Sequence, residues 1–520
     1  MPVAVQVLRH ASDHPHRLAV CGPAGELSYA QLARRIRGTA THLAALGMGR
    51  GALVAISLAD PADQLTAALA TDLAGGTPLL CDPAWDERVR AAIPADLHLN
   101  GLDYLDHLDG RPLGEMNAAL GADGLVPPAE RGARPSAAAG TPAAAWPRPE
   151  AGDRAWACFS SGSTGRPRAV VRTRASWTAS FPQVNELAGI GPGDVVLVPG
   201  PLSSSLYGFA TVHALAVGAT ALVPGRWSPR SLGDQLDRAT VAHLVPHLLP
   251  AVLDALPEGA PLRTVVIGGA ALPAGLRERA ADAGVRVVSY YGATELSFVA
   301  VDVDGAGLRP FPGTELQVRT PPGQSLGEVW VRSPWLAEGY LAGASGPLRV
   351  DGDGWMSVGD VAEPYLPGEV LRLRGRGDGA IQTGGATVVP EDVEEVLRTV
   401  RGVGDVVVVG SPHPDLGAVV TAIVEVGTGT PPSRATLEAV ARGGLAAAQR
   451  PRRWYAVGAL PRTSAGKPAR GLLTARLADG DVARLADGDI APRADGDIAR
   501  SADGDAARPA GGDPYLWRLP

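Results

Sequence analysis

The chain has 47 basic residues, and only Lys467 among them is a lysine; the other 46 are arginine. It lies in Pro461 to Leu473, PRTSAGKPARGLL. A sequence that uses arginine wherever a generic cation serves keeps lysine where guanidinium fails. Ammonium is a compact point charge that enters a tight site and touches one oxygen, whereas guanidinium is a broad planar fork. Lys467 is therefore the leading catalytic candidate, weighed against chance survival on a surface loop. Ser464, Ala465, Gly466 and Pro468 around it predict a turn presenting one long side chain.

A second stretch with chemistry is Trp156 to Arg172, WACFSSGSTGRPRAVVR. A short apolar run is followed by Ser160, Ser161, Gly162, Ser163, Thr164 and Gly165, then Arg168 and a strand-like Ala169 to Val171. Backbone N–H groups and hydroxyls in such a loop can surround a phosphate chain, with Arg168 supplying charge. The pattern is not GxxxxGK[ST], so the common P-loop fold is not implied, and a solvated linker is the alternative. His243 and His247 are four residues apart, a spacing open to metal ligands. Pro246 interrupts any helix there and no third ligand is near, so zinc is not expected.

These residues need a frame to hold them. At 520 residues and 45% hydrophobic content, the chain predicts two or more domains with sizeable cores. A net charge of −7 without a basic run argues against nucleic acid as a partner. Cys21, Cys81 and Cys158 are scattered and odd in number, which predicts reduced thiols and a cytoplasmic location. No segment approaches the roughly 20 apolar residues of a membrane span, and the N-terminus lacks a signal-like apolar run.

The apolar spacing of Leu32, Ile36, Ala40 and Leu43 predicts a helix over Tyr29 to Leu46, ended by Gly47. A strand over 52–58, a helix over 63–73 and a strand over 76–81 continue an alternation that implies a parallel α/β sheet. Residues 126–150 are rich in Pro and Ala and predict a loop or linker. After about Arg476 the sequence repeats with a period of eight around Asp-Gly-Asp, and 477–520 is expected to be a disordered tail.

Further motifs bring a family into view. Gly268-Gly269-Ala270-Ala271-Leu272, Tyr290-Tyr291-Gly292-Ala293-Thr294-Glu295, Gly354 to Asp360 (GWMSVGD), Leu373 to Glu394 and Pro461 to Lys467 follow the Ser160 to Arg168 loop in order. Together they resemble the signature series of the acyl-adenylate-forming, AMP-binding superfamily, over about residues 10 to 475. That superfamily includes acyl- and aryl-CoA synthetases, peptide-synthetase adenylation domains and luciferases.

The resemblance implies a large N-terminal multilayer α/β domain over 1–374 and a small mobile α+β lid over 375–476. It also implies ATP, Mg²⁺ and CoA. Ser160, Ser161, Gly162, Ser163, Thr164, Gly165 and Arg168 would hold phosphates, and Gly269, Ala270, Ala271, Tyr290, Tyr291 and Gly292 would line the adenine side. Asp360 and Arg376 would meet the ribose, Thr294 the α-phosphate, and Glu295 the Mg²⁺. Lys467 would reach the bridging and carboxylate oxygens. Asp378 would be the hinge of a lid swing, and Gly385 would let a pantetheine arm pass, because only glycine leaves room there.

The sequence departs from the family pattern at three positions. Arg168 stands where a lysine is usual, Val358 where the ribose motif has threonine, and Ser204 where many CoA ligases carry a histidine or aromatic gate. No acidic residue between Gly200 and Ala214 could pair with an α-ammonium, so a neutral acid pocket involving Ser204, Leu206, Tyr207 and His247 is expected. The activity implied is ATP-dependent activation of a carboxylic acid, then transfer to a thiol, CoA first. The alternatives are a carrier-protein pantetheine, an amine acceptor, a member that uses a pre-formed acyl-adenylate, and a non-catalytic nucleotide-binding scaffold.

Overall fold

The structure is a computed structural model that describes residues 2–83, 85, 90–91, 93–101, 125–126, 150–160, 168–225, 232–273, 275–344, 346–376, 379, 381–383, 386–413, 416–426, 432–463, 466–478 and 516–518. The predicted linker therefore lies outside the described residues, except for Val126 and Glu150. Of the tail beyond Ala478, only Leu516–Arg518 falls inside them.

Local sequence signals set the first elements. The helix Tyr29–Ala45 starts at a capping box: Ser28 accepts from the Gln31 backbone and Gln31 returns a bond to the Ser28 N–H. It buries Leu32, Ile36, Ala40 and Leu43, the residues whose spacing predicts it. Asp60 caps the next helix, Pro61–Leu73, two residues earlier than expected because Pro61 fits the first helical turn. The strands Leu53–Ile56 and Thr77–Leu80 run parallel, as the alternation implies.

Three sheets make the larger part of the molecule. One has nine strands with a parallel centre, in which Leu18–Gly22, Thr220–Leu222, Val195–Leu197, Val241–Leu244, Thr264–Ile267 and Arg286–Ala293 lie side by side. A second has seven strands and contains the hairpin Arg154–Ser160 and Arg168–Thr173, whose connecting loop is the hydroxyl-rich stretch. The third is a six-stranded sheet from Glu315–Arg319 to Leu373–Arg376. Leu373–Arg376 pairs antiparallel with Asp360–Ala362.

The first two sheets share a core in which Trp156 stacks on Trp177 and Phe209 meets Phe181 and Phe298. Inside it, Arg174 and Asp72, each 3% exposed, form an ion pair, and Asp72 also accepts the Ala4 N–H at 3.1 Å.

A fourth sheet with its own core follows. Its long hairpin Val403–His413 and Gly417–Val426 is packed by the helices Pro390–Arg398 and Arg434–Gly444. Leu516–Arg518 adds an antiparallel edge strand beside Arg453–Val457. Leu516 and Trp517 are apolar residues outside the repeat, and their backbone pairs with a strand edge that would otherwise remain open.

Candidate active site

The lysine loop is built from the fourth sheet outward. Arg462 ion-pairs with Asp405 at 3.1 Å and Glu425 at 3.3 Å, one from each strand of the long hairpin. Thr463 N–H donates to the Lys467 carbonyl at 2.7 Å, and Gly466 turns the chain at φ 78°. The loop rests on the large part of the molecule. A Cβ on Gly269 would lie 3.0 Å from Lys467 Cε and 3.8 Å from Nζ, while one on Gly466 would lie 2.4 Å from His247 Cε1. The sole ammonium therefore lies against the glycine pair that ends the strand Thr264–Ile267.

Thr294 and Glu295 follow the strand Arg286–Ala293 and are braced by residues the sequence reading missed. Arg172, 3% exposed, donates to the carbonyls of Thr294 and of Trp335, the latter at 2.5 Å. Burial lowers its pKa to about 10, which leaves it cationic at neutral pH. Glu295 is 5% exposed and accepts from Tyr340 Oη at 2.8 Å. Tyr340 pairs with Val170 of the hairpin that carries Arg168, and the Arg168 charge acts on its phenol. Ser205 Oγ and Thr294 Oγ1 are 2.9 Å apart, which ties the start of the helix Ser205–Val217 to the same corner. Arg172 carried one faint signal, a charge directly after the apolar run Ala169 to Val171.

Tyr290 and Tyr291, adjacent on one strand, diverge. Tyr291 Oη donates to Asp360 Oδ2 at 2.7 Å, joining the aromatic motif to the acidic end of GWMSVGD. Tyr290 packs against Phe298, with ring centroids 4.7 Å apart, and over Gly268, where a Cβ would lie 2.3 Å from its Cζ. Alternation along a strand separates them, since successive side chains take opposite faces. Gly292 follows at a register shift, and Ala270 and Ala271 are exposed beyond Gly269.

The expected acyl residues have these surroundings. Ser204 precedes the helix Ser205–Val217 and bridges to Phe159. Leu206 is half-buried and Tyr207 is 2% exposed. His247 stands against Gly466, with the Arg462 charge bearing on its ring. Its pKa falls to about 4, first because the docked loop strips water from it and then because of Arg462, although part of the imidazole remains at the surface.

Ser161, Gly162, Ser163, Thr164, Gly165, Asp378 and Gly385 lie outside the described residues. For Ser160 and Arg376 the backbone alone is described. Ser160 pairs with Arg168 and Arg376 with Asp360. Among the described residues no cluster of three or more metal-ligating side chains occurs, and no helix is long and apolar enough to cross a membrane.

The Lys467 ammonium thus lies against Gly269, and the Tyr291 ring is hydrogen-bonded to the Asp360 carboxylate. The AMP-binding enzyme family matches residues 7–341, and the AMP-binding enzyme C-terminal domain matches 392–467. An uncharacterized acyl-CoA ligase, YhfT of Bacillus subtilis, is 33% identical over 333 residues, 60% of this chain and 66% of that protein. The feruloyl-CoA synthase of an Amycolatopsis species is 28% identical over 498 residues, 90% of this chain and 98% of that one. The fold matches that of ATP-bound MatB from Rhodopseudomonas palustris, with a TM-score of 0.74 at 24% identity, covering 92% of this chain and 99% of the other. The chain belongs to the AMP-binding enzyme family, with the large and small parts of an adenylate-forming fold.

Proposed function

We propose that the protein uses ATP to convert a carboxylic acid to an acyl-adenylate and then passes the acyl group to the thiol of CoA. The observation that carries this reading is the contact of the sole lysine, on a loop of the small part, with Gly269 of the large part. In the first step a carboxylate oxygen attacks the α-phosphorus and pyrophosphate leaves. Charge grows on phosphate oxygens, so positioned cations and N–H donors do most of the work. Lys467 would neutralise the attacking and bridging oxygens, and Thr294 would donate to the α-phosphate. Tyr291 and Asp360 would hold the nucleoside, and residues 160–168 with Arg168 the outer phosphates.

Glu295 suits Mg²⁺, a hard cation that takes one or two carboxylates and fills its remaining positions with phosphate oxygens and water. Bound there, the ion would offset charge on the phosphates. Arg172 and Tyr340 would orient the Thr294–Glu295 pair without touching substrate.

A lysine loop on a separate small part suits two half-reactions. Rotation about Asp378 would withdraw Lys467 and bring Gly385 to the acyl-adenylate for thiol attack. The acyl-CoA ligase relatives support CoA as acceptor. The three cysteines, all buried and unpaired, suit a cytoplasmic location.

Acid-dependent exchange of pyrophosphate into ATP tests the reading. Exchange is expected with organic acids and not with amino acids. Lys467→Ala is expected to abolish it while still converting a supplied acyl-adenylate to the CoA ester. Absence of both activities over a broad acid panel would overturn the proposal.

A further inference from the structure

The strand Leu373–Arg376 meets the first turn of the helix Pro390–Arg398. Arg374 Nη1 donates to Asp392 Oδ1 at 3.2 Å, while its Nε donates to Glu363 Oε1 at 3.0 Å. Beside it, Gly375 is left-handed at φ 85°, and a Cβ there would lie 2.7 Å from Glu391 Cδ. The first turn of the helix thus rests on bare backbone.

The same turn braces the lysine loop. Arg470, three residues after Lys467, donates to Glu391 Oε1 at 3.3 Å and ion-pairs with Glu394 at 2.7 Å. Contacts therefore run from Arg374 and Gly375 through Asp392, Glu391 and Arg470 to the loop whose ammonium lies against Gly269.

The two neighbouring acids act in opposite senses. Glu363, whose N–H bonds the Arg372 carbonyl in the same sheet, holds the Arg374 guanidinium, so Asp392 meets a cation already in place. Arg374 and Asp392 are 33% and 29% exposed, and a pair so placed changes an equilibrium by roughly two- to fivefold. Glu391 stands otherwise. Its Oε2 is buried without a hydrogen-bond partner among the described residues, and burial raises its pKa. A carboxylate oxygen enclosed without a donor disfavours the arrangement that encloses it. Asp378 lies in sequence between Gly375 and Glu391, so a rotation there would part both contacts at once.

We propose that Arg374 and Asp392 form a latch that holds the lid in the orientation seating Lys467, and that Glu391 opposes the latch, so that the lid releases for the thiol step. All three are positioning residues and touch no substrate. The inference rests on the two-step reading above and adds the contacts that set the balance between the steps.

The sole lysine supplies a readout separate from catalysis, because the other amine of the chain is its terminal α-amino group. Reductive dimethylation of the full chain, followed by mass spectrometry, measures how often Lys467 leaves its seat, with the terminal amine as internal reference. R374M and D392N are each expected to speed Lys467 labelling about two- to fivefold. The double variant should exceed neither, since either change opens the latch. E391Q removes the buried charge, keeps an acceptor for Arg470 and is expected to slow labelling about twofold. Slower labelling cannot arise from misfolding, so this variant decides the matter if a latch variant fails to fold.

In the half-reactions, R374M and D392N are expected to lower the ratio of acid-dependent pyrophosphate exchange to thioester formation from a supplied acyl-adenylate by the same factor. Lys467 labelling unmoved by both latch variants, or speeded by E391Q, would overturn the proposal. Labelling that responds as stated while the native protein shows no exchange upholds the latch and refutes acid activation. Exchange with unresponsive labelling does the reverse.

Discussion

Gly466 lies so close to His247 that a Cβ on the glycine would come within 2.4 Å of the imidazole Cε1, and its φ is 78°. One residue further on is the ammonium that meets Gly269. Seating of the lysine loop therefore depends on a contact between the two parts of the molecule. Gly466→Ala is expected to lower acid-dependent pyrophosphate exchange at least tenfold, through both the clash and the left-handed backbone. Thioester formation from a supplied acyl-adenylate should fall far less. Adding His247→Ala should restore part of the exchange by removing the clash; equal loss in both half-reactions would contradict this account.

The bond from Tyr291 to Asp360 links a ring to a carboxylate on another sheet. Tyr291→Phe keeps the ring and removes a charge-assisted hydrogen bond of about 1.5–3 kcal/mol. The KM for ATP is expected to rise about tenfold, with the KM for the acid little changed. Steady-state kinetics with each substrate varied in turn checks this.

Arg174 and Asp72 stabilise the core only as a pair, since each is 3% exposed. Arg174→Met leaves a carboxylate buried without its partner and should cost about 3–5 kcal/mol. The double variant with Asp72→Leu should recover much of that loss. Urea denaturation of the two variants measures the difference.

His213 is fully buried between Phe181 and Phe209, and burial lowers its pKa from the usual 6.5 to about 4. The unfolded chain binds this proton more readily than the folded one, so its contribution to stability is complete above pH 6.5. It is lost as pH falls from 6.5 towards 4, up to about 3 kcal/mol. Thermal unfolding at pH 7.5 and 5.0 should show a drop in Tm for the native protein and a smaller drop for His213→Gln.

The sequence by itself determined the first elements and named the residues of the candidate site. Capping residues at Ser28 and Asp60, the spacing of Leu32 to Leu43 and the alternation over 52–81 are local signals, because a helix or strand buries one face with its own period. The rarity of lysine singled out Lys467 without any structure. Only the tertiary structure brought Lys467 to Gly269, tied Tyr291 to Asp360, set Tyr290 over Gly268 and placed Gly466 against His247. It also revealed Arg172 and Tyr340 as the braces of Thr294 and Glu295. The physical reason is that composition and period act over a few neighbouring residues, whereas these contacts join residues far apart along the chain. Which face a side chain takes, and what it meets there, is decided when the sheets pack and the small part docks.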